Sequence, residues 1–274
     1  MYNGLDEIFR LFRQKNDTKN LSFLFCRMLN YMPFNAVNSM SLIKFKPTPE
    51  TIPIYTPNTL ILHYTMDNTT NNIGTAGSRY NASLSGTNSF SSSYYMRGTH
   101  SLSTNRTSFF NVPNIYLTDE TNSNGITICF WLMKTTTDSV GQLVSFGVPG
   151  STNYLNIKMY GGGDGLNYNI YFTLKTSLTK QSLVIAQGVG TDSNNWRFIA
   201  VTMTKSTDNT STWKAYIYNR TTLHYSRTNY NMNYPTERFT NCNIGNTDCY
   251  MDDFRMYNYV LTDSQILGVY NNTF

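Results

Sequence analysis

The stretch from Met251 to Tyr270 constrains the fold of this chain more than any other, because it joins an acidic strand to a short helix. Thr262 is followed three residues later by Gln265, which is a capping box, so a helix is predicted to begin at Thr262 or beside it. In the strand before it, the two-residue alternation of apolar side chains breaks near Asp252 and Asp253. This break predicts a β-bulge that re-aims a carboxylate.

From Thr59 onward the sequence is a series of short β-runs separated by Gly, Asn, Asp and Ser, which is typical of a β-sandwich. Strands are predicted near 59–66, 101–112, 125–134, 141–147, 154–160, 167–175, 181–187, 196–205, 212–219 and 249–257. In the strand near 196–205, alternation places Phe198 and Ala200 on one face, with Ile199 and Val201 on the other. Both faces are apolar, so this strand is predicted to be central and partly covered on both sides.

The first 58 residues differ from the rest of the chain. Residues 4–14 carry an apolar stripe at helical spacing, which predicts an amphipathic helix, and the apolar stretch 21–32 is compatible with a second helix paired to it. Four prolines within 47–57 predict an extended linker. We therefore divide the chain into a partly helical N-terminal arm with a Pro-rich linker, 1–58, and one domain, 59–274. The arm has too much apolar surface to remain solvated alone, so we expect it to anchor the domain to a larger protein assembly.

Composition argues against several classes of protein. Charged residues make up 14% of the chain and the net charge is +5, which is too small and too dispersed for a nucleic-acid footprint. The apolar run Leu21–Leu29 comes late for a secretory signal, contains Arg27 and is too short to span a bilayer. We expect no nucleic-acid partner and no transmembrane segment. A virion, or the cell surface or extracellular space, is the favoured location.

Four cysteines, Cys26, Cys129, Cys242 and Cys249, are too few and too scattered for a disulfide scaffold, and no CxxC pair indicates zinc. Cys129 lies in an apolar run and is predicted to be a small core residue. Cys242 and Cys249 are close in sequence, and a bridge between them would close a small loop in an oxidising compartment. The sequence leaves open whether the geometry permits this disulfide.

Five motifs, taken in order, resemble the laminin-G-like jelly-roll domains of the concanavalin A-like lectin/glucanase superfamily. They are LILHYTMD (60–67), SLSTNRTSFFNVPN (101–114), GITICFWLM (125–133), WRFIAVTMT (196–204) and MDDFRMYNYVLTDSQI (251–266). The resemblance covers about residues 59–270 and implies an all-β, antiparallel jelly-roll β-sandwich with a short C-terminal helix. The arm has no counterpart in this family, and the segment 242–251 is shorter than the usual loop. The rim loops are therefore this protein's own, and the family's binding specificity does not transfer.

The resemblance also implies a structural calcium ion. Family members often hold one near the opening and closing strands, and the matching positions here are Asp67 and Asp253, with Asp252 adjacent. Carboxylate oxygens suit Ca²⁺, which needs about six to eight ligands. The alternative is that Asp253 accepts hydrogen bonds from backbone amides at the bulge and that Asp67 begins a turn.

Exposed aromatic side chains are candidate platforms for a glycan, and the chain has 21 tyrosines and three tryptophans. The candidate ligand-binding residues, all assigned to loops or strand ends, are Tyr94, Tyr95, Tyr160, Trp213 and Tyr225. The alternative is that most aromatic residues fill the core or decorate strands, as their β-propensity predicts. Trp131 and Trp196 are assigned to the core, and Trp213 fits either assignment.

The sequence shows no catalytic arrangement. A retaining glycosidase needs two carboxyl groups about 5 to 5.5 Å apart, but the glutamates are isolated, at positions 7, 50, 120 and 237. Asp252 and Asp253 are consecutive, so a regular strand would point them to opposite sides. The histidines are scattered, and GGGDG at 161–165 lacks the Lys-Ser/Thr of a phosphate loop and is interpreted as a hairpin turn. We therefore expect that the protein is not an enzyme.

These observations predict a non-catalytic recognition or assembly module, a lectin-like jelly roll that binds glycan or protein and is anchored by its N-terminal arm. One alternative is a minor capsid or surface protein of a large DNA virus particle, which the Asn-, Thr- and Tyr-rich composition and the arm-plus-jelly-roll layout would suit. A further alternative is a divergent glycosidase, which would need acid and base groups that the sequence does not reveal.

Overall fold

The computed structural model describes residues 59–115, 125–135, 141–147, 154–161, 168–176, 179–189, 195–205, 210–218, 223–233 and 241–274. The predicted arm and linker, with their two helices and Cys26, lie outside the described residues, as does most of GGGDG. The boundary between residues 58 and 59 therefore stays a prediction. No helix in the described ranges is long and apolar enough to cross a membrane.

Short β-strands dominate the described part of the chain. They are β1 (Leu60–Tyr64), β2 (Ser83–Leu84), β3 (Ser89–Ser91), β4 (Ser101–Thr104), β5 (Phe110–Val112), β6 (Gly125–Lys134), β7 (Gly141–Phe146), β8 (Tyr154–Gly161), β9 (Tyr168–Lys175), β10 (Lys180–Val189), β11 (Arg197–Lys205), β12 (Thr210–Tyr218), β13 (Leu223–Asn233), β14 (Cys242–Ile244) and β15 (Cys249–Tyr257). A 3-10 turn covers Ser78–Tyr80, and one α-helix, α1, covers Asp263–Asn271.

The strands form two antiparallel sheets, as the sequence predicts. The eight-stranded sheet has the order β13-β12-β11-β6-β15-β4-β3, and β1 also pairs with β15. The seven-stranded sheet has the order β10-β9-β8-β7-β14-β5-β2. Strand β15 pairs with β6 along one edge, and its other edge is shared between β4 and β1. The result is a jelly-roll β-sandwich closed by the last strand of the chain.

The main core lies between the sheets and follows from strict alternation. Ile199 and Val201 of β11 belong to it, while Phe198 and Ala200 on the opposite face belong to a second apolar cluster. The prediction of a central strand covered on both sides is therefore confirmed. Burial of the two faces removes large apolar surfaces from water, which is the main stabilising contribution to a sandwich of this kind.

Helix α1 covers the second cluster on the outer face of the eight-stranded sheet. Tyr270 stacks on Tyr218 at 4.8 Å between ring centroids and contacts Trp131 at 5.3 Å, within the range of favourable aromatic pairs. The helix begins as predicted: the Thr262 hydroxyl accepts from the Gln265 amide, and the Gln265 side chain accepts from the Thr262 amide. Trp131 and Trp196 are buried, which confirms their assignment to the core.

The predicted bulge in β15 is present. The register between β15 and β6 shifts between Asp252 and Arg255, and Asp253 adopts a positive φ of 48°. This left-handed conformation is uncommon outside glycine, asparagine and aspartate. Met251 and Phe254 on either side both join the inter-sheet core, so the extra residue leaves two consecutive carboxylates outside it.

The sequence missed four strands and merged two. The predicted strand 101–112 is two strands, and β4 and β5 lie in opposite sheets. A turn separates them, in which the Asn105 side chain accepts from the Thr107 amide at 2.9 Å. Strands β2, β3 and β14 are only two or three residues long, and β13 contains three asparagines, which are disfavoured in strands. Pairing with neighbours, rather than local propensity, makes these segments extended.

The proposed Cys242–Cys249 disulfide is wrong for this structure, because both residues are free, buried thiols. Cys242 lies on β14 opposite Val112 in the seven-stranded sheet, whereas Cys249 lies on β15 in the eight-stranded sheet. Burial raises the pKa of each thiol to about 12, so both are neutral near pH 7. Cys129 is buried, as predicted.

Candidate functional site

A groove of about 550 Å³ lies on the outer face of the seven-stranded sheet. Strands β7, β8, β9 and β10 supply its lining. The lining side chains are polar or aromatic: Gln142, Tyr154, Asn156, Lys158, Tyr160, Asn169, Tyr171, Thr173, Lys180 and Ser182. Concave sites with a few convergent polar groups are the usual location of ligand binding.

Alternation on neighbouring strands explains why these side chains meet. On β8 the odd-numbered residues from Leu155 to Met159 are buried in the core, so the even-numbered residues from Tyr154 to Tyr160 face the groove. On β9 the phase is reversed, and the odd-numbered residues face outward. The register pairs Lys158 with Tyr171 and Asn156 with Thr173 across the two strands. Each groove residue therefore lies beside another one.

Tyr160 is the most exposed aromatic residue of the groove, with 48% of its surface accessible. Its ring meets Tyr171 edge to face at 5.8 Å, and the Lys158 ammonium lies 4.1 Å from its ring centroid. The hydrogen bond from Lys158, together with its charge, lowers the pKa of Tyr160. The structure thus places this predicted ligand residue on a supported aromatic surface.

Asn156 forms part of the groove floor and is 5% exposed. Among the described residues its side-chain oxygen Oδ1 has no hydrogen-bond partner. Beside it the hydroxyls of Thr173 and Ser182 hydrogen-bond to each other at 2.9 Å. An unpaired buried acceptor is unfavourable by about 1 to 3 kcal/mol, and native proteins retain few of them. The groove floor therefore presents an acceptor ready for a donor from outside the chain.

The other aromatic candidates lie elsewhere. Tyr94 and Tyr95 are 44% and 47% exposed in the loop after β3, where Tyr94 contacts Tyr250 of the eight-stranded sheet. The assignment of Trp213 as a ligand platform is wrong, because its side chain is fully buried against Phe172 and its Nε1 donates to a main-chain oxygen. Tyr225 lies within β13 rather than in a loop, and its side chain is outside the described residues.

The three predicted calcium ligands form a second polar region, which we call the acidic cluster (Asp67, Asp252 and Asp253). Asp67 accepts from the amides of Thr99 and His100 at 2.6 and 3.0 Å. Asp252 accepts from two further amides of the same loop, those of Met96 and Arg97, both at 2.8 Å. These two carboxylates therefore hold the loop that carries Tyr94 and Tyr95.

Asp253 is the centre of a buried charge network. It pairs with the guanidinium of Arg97, with that of Arg255 at 2.9 Å and with His63 at 2.7 Å. Arg97 also donates to the main-chain oxygens of Val269 and Tyr270, and so binds the negative end of the α1 dipole. Through Arg97, the network ties the bulge in β15 to the end of the helix.

The environment gives the two neighbouring carboxyl groups opposite pKa shifts. Burial raises the pKa of Asp252 to about 7, although the two loop amides oppose the shift. Burial acts on Asp253 in the same direction, but the His63 hydrogen bond and the charges of Arg255 and Arg97 outweigh it and lower the pKa to about 2. Asp253 is therefore charged at neutral pH.

These residues do not fit a calcium ion. The oxygens of Asp253 face two guanidinium groups, and Asp67 and Asp252 each use an oxygen for two backbone amides. In the part of the chain that the structure describes, no group of three or more His, Cys, Asp or Glu side chains converges as a metal shell would. The alternative noted from the sequence is that Asp253 accepts from backbone amides and that Asp67 begins a turn. In the structure the partners of Asp253 are the side chains of His63, Arg97 and Arg255, and Asp67 accepts from backbone amides.

Sequence reasoning found Tyr160 but missed the rest of the groove. The other groove residues lie inside strands rather than in loops, and they include Tyr154, Asn156, Lys158 and Tyr171. A usable signal was present: YLNIKMY and YNIYFTLK alternate apolar residues with Tyr, Asn, Lys and Thr. This pattern indicates a sheet whose outer face carries chemistry rather than only solvent-facing polar residues.

The fold and the groove define a jelly-roll domain with a concave polar face. The family model Laminin_G_3, of the concanavalin A-like lectin/glucanases superfamily, matches residues 103–267, more than half of the chain. The chain therefore belongs to this superfamily, which confirms the resemblance seen in the motifs. The sequence matches no curated protein.

The structure is also similar to several solved structures at low identity. Domain 4 of AbnA, an extracellular arabinanase from Geobacillus stearothermophilus in complex with arabinotriose, is 16% identical with a TM-score of 0.49, over 77% of this chain and 98% of that one. The botulinum neurotoxin type G receptor-binding domain is 16% identical with a TM-score of 0.48, over 78% of this chain and 51% of that one. A glucuronan lyase from Trichoderma reesei is 10% identical with a TM-score of 0.44, over 64% of this chain and 89% of that one. At these values the likeness carries no argument about ligand or activity.

Proposed function

We propose that this protein is a non-catalytic glycan-binding module and that its ligand occupies the groove on the seven-stranded sheet. The observation that carries the proposal is the combination, in one concave surface, of the exposed Tyr160 ring and the unpaired Oδ1 of Asn156. A sugar ring offers an apolar face to an aromatic side chain and hydroxyl donors to an acceptor. The groove supplies both partners within the same row of strands.

The support from Tyr160 is geometric. Tyr171 and Lys158 hold its ring from the edge and from one face, so little side-chain entropy remains to be lost when a ligand binds. Rigid aromatic residues are effective contact surfaces for this reason. Thr173, Ser182 and Gln142 add hydroxyl and amide groups around the platform. A saccharide with several hydroxyl groups would find complementary partners along the groove.

The proposal that the module is non-catalytic rests on where the acids lie. None of the described side chains that line the groove is a carboxylate. The buried carboxylates of the acidic cluster are bound to amides, guanidinium groups and His63. General acid–base hydrolysis of a glycosidic bond needs two carboxyl groups that flank the bond. A divergent glycosidase would have to hydrolyse its substrate without such a pair in this groove.

The experiment is a glycan array probed with the full chain, followed by titration calorimetry with the strongest binding glycan. Tyr160→Ala is expected to weaken binding by about tenfold or more, since loss of an aromatic contact in a binding site is worth about 1 to 2 kcal/mol. Tyr94→Ala is the matched control, because that tyrosine is almost equally exposed but lies outside the groove. Undiminished binding by Tyr160→Ala would move the site away from the groove.

A second candidate function is protein recognition by the loop after β3. Tyr94, Tyr95 and Met96 are consecutive and 44%, 47% and 36% exposed, and the acidic cluster holds their loop in place. Exposed aromatic residues on a fixed loop suit a protein partner. Loss of partner capture in Tyr94→Ala with retention in Tyr160→Ala would favour this function over the groove.

Two parts of the prediction remain proposals about the chain as a whole: anchoring through residues 1–58 and a role in a virus particle. They rest on the apolar arm and on composition. Deletion of residues 1–50 tests them, and incorporation of the truncated protein into its native assembly would rule out anchoring by the arm.

A further inference from the structure

We propose that the groove selects an anionic saccharide, one that bears a carboxylate or a sulfate, over a neutral one. This inference rests on the proposed function, because it names the class of glycan that the same groove would bind. Four features carry it: an unneutralised group of lysines, a pair of lysines placed directly opposite each other, an orphaned amide oxygen between the cations, and aromatic rings beside the ammonium groups.

The groove and its edge carry three lysines. Lys158 and Lys180 line the groove, and Lys175 lies next to it with its ammonium 6.0 Å from the centroid of the Tyr154 ring. Lys180 is exposed, and Lys158 and Lys175 are half-buried. Among the described residues none of the three pairs with a carboxylate, whereas Lys214 on the other sheet does so with Asp263 at 3.7 Å. The positive charge of the groove is therefore available to a ligand.

The register makes this arrangement unfavourable in the free protein. Lys180 is the direct antiparallel partner of Lys175, and Lys175 in turn is the partner of Tyr154. Like charges directly opposite each other destabilise a sheet. An anion between the two ammonium groups would remove this repulsion and gain two charge-assisted hydrogen bonds, which are stronger than neutral ones.

The side chain of Asn156 favours a saccharide ligand over a simple anion. Its Oδ1 is an acceptor, buried in the groove floor with no partner in the described structure. A sulfate ion would satisfy the lysines but would bring no donor to this oxygen. A uronic acid or a sulfated sugar carries both the negative group and neighbouring hydroxyl donors, so one ligand satisfies both features.

The aromatic rings and the lysines beside them indicate where the sugar ring and the acidic substituent of such a ligand would lie. The Lys158 ammonium sits 4.1 Å from the Tyr160 centroid, within the range of a cation–π contact. Tyr154 has the same relation to Lys175 at a longer distance of 6.0 Å. Two of the three tyrosines that line the groove, Tyr160 and Tyr154, thus have a lysine beside the ring. A sugar ring stacked on either tyrosine has its acidic substituent within reach of an ammonium group.

The test compares matched probes by titration calorimetry on the full chain. Tetragalacturonate carries carboxylates, its fully methyl-esterified form is neutral with the same sugar rings, and a heparin tetrasaccharide carries sulfates. We expect the acid form to bind about tenfold or more tightly than the ester, and its affinity to fall as salt rises from about 0.05 to about 0.5 M, since salt screens exposed charges. The heparin probe shows whether carboxylate or sulfate is preferred.

Variants locate the effect. Lys158→Gln and Lys180→Gln are expected to bring the affinity for the acid probe down to that for the ester, while Lys214→Gln, on the opposite sheet, leaves it unchanged. These side chains lie on the surface, and equal thermal unfolding temperatures would show that the variants remain folded. The salt dependence of the unmodified protein gives the same information without any substitution.

The outcomes separate the two proposals. Equal, salt-independent binding of acid and ester would overturn the anionic preference while leaving a glycan-binding groove. Binding of none of the three probes, together with an empty glycan array, would overturn both. If a short oligothymidylate displaced the saccharide at a concentration below that of the saccharide, the proposal of a saccharide ligand would be rejected in favour of a nucleic acid.

Discussion

The groove and the acidic cluster are both polar, but most carboxylate oxygens of the acidic cluster are paired within the chain, whereas among the described residues the lysines of the groove pair with no carboxylate and the Asn156 oxygen has no partner. In the acidic cluster Asp253 and its two arginines pair within the chain, and the network reaches the end of α1. In the groove the Asn156 oxygen has no partner in the described structure, and Lys180 faces another lysine. Polar groups that are paired inside a protein stabilise the fold, whereas unpaired ones at a concave surface are suited to a ligand.

The carboxylates and the candidate ligand-binding groups therefore lie in different regions of the molecule. The bulge in β15 directs Asp252 and Asp253 toward the loop after β3 and the helix end, where protein donors bind both oxygens of Asp253 and one oxygen of Asp252. The groove contains no described acid and takes its chemistry from Tyr, Asn and Lys. Substitutions should therefore affect folding in one region and binding in the other.

The largest expected effect is that of Asp253→Ala. Removal of this carboxylate leaves the buried Arg255 and the half-buried Arg97 without their shared anion, which costs about 3 to 5 kcal/mol. Urea unfolding near pH 7 measures the loss. Asp248→Ala is the control, because its pair with Arg106 is partly exposed and is worth at most about 1 kcal/mol. Equal losses of stability for the two variants would contradict the claim that the network around Asp253 stabilises the fold more than a surface ion pair does.

Acid titration of the unmodified protein examines the same carboxylate. The folded pKa of Asp253, about 2, lies below its ordinary value of 3.8, so its charge contributes stability above about pH 4. That stability is lost as the pH falls from about 4 toward 2, because the folded state must then be protonated against its arginines. The Asp253→Ala variant is expected to lack this part of the acid transition.

The next effect is that of Asp252→Asn, and it has the opposite pH dependence. The folded pKa of Asp252 is about 7 and its ordinary value is 3.8, so the folded state keeps a proton that the unfolded state releases. Stability therefore falls as the pH rises from about 4 to 7, by on the order of 3 kcal/mol. Asparagine keeps an oxygen for the two loop amides and cannot ionise. We expect the variant to be more stable than the unmodified protein at pH 7 and equal to it near pH 4.

Unfolding free energies at several pH values measure this difference. Asp248→Asn is the matched control, because that carboxylate is partly exposed and paired with Arg106 at the surface. The stability gain of Asp252→Asn over the unmodified protein should be larger at pH 7 than at pH 4. An equal gain at both pH values would contradict the role assigned to burial.

A smaller effect in the groove is expected from Asn156→Thr. The substitution removes the unpaired Oδ1 and places a β-branched residue in a strand, so we expect stability to rise by about 1 kcal/mol while glycan affinity falls. Asn169→Thr is the control, because the Asn169 amide donates to the Tyr171 hydroxyl at 3.4 Å. A loss of stability in Asn156→Thr would show that this amide serves the fold, as the acidic cluster does.

The smallest expected effect is that of calcium. Because both oxygens of Asp253 and one oxygen each of Asp67 and Asp252 already bind protein donors, addition of calcium or of a chelator is expected to shift the unfolding temperature by less than about 1 °C. Thermal unfolding monitored by circular dichroism measures the shift. A ligand present at about 100 times its Kd would stabilise the folded state by about 2.7 kcal/mol, which is several degrees for a domain of this size. A rise of that size would restore the calcium site.

Local sequence was sufficient wherever a feature depends on neighbouring residues. The capping box at Thr262, the bulge beside Asp253 and the two covered faces of β11 each follow from a spacing of one to three residues. The family motifs added the order of the strands. The arm, by contrast, was assigned from its apolar pattern alone and stays a prediction.

The tertiary structure decided the site. Alternation showed that Trp213 and Tyr160 each lie on one face of a strand, but only the packing of two sheets made the first a core residue and the second a groove residue. The groove needs four strands in a fixed register, and the partners of Asp253 come from positions 63, 97 and 255. Sequence determined the elements because their causes are local, whereas burial and pairing arise between segments that are distant in the chain.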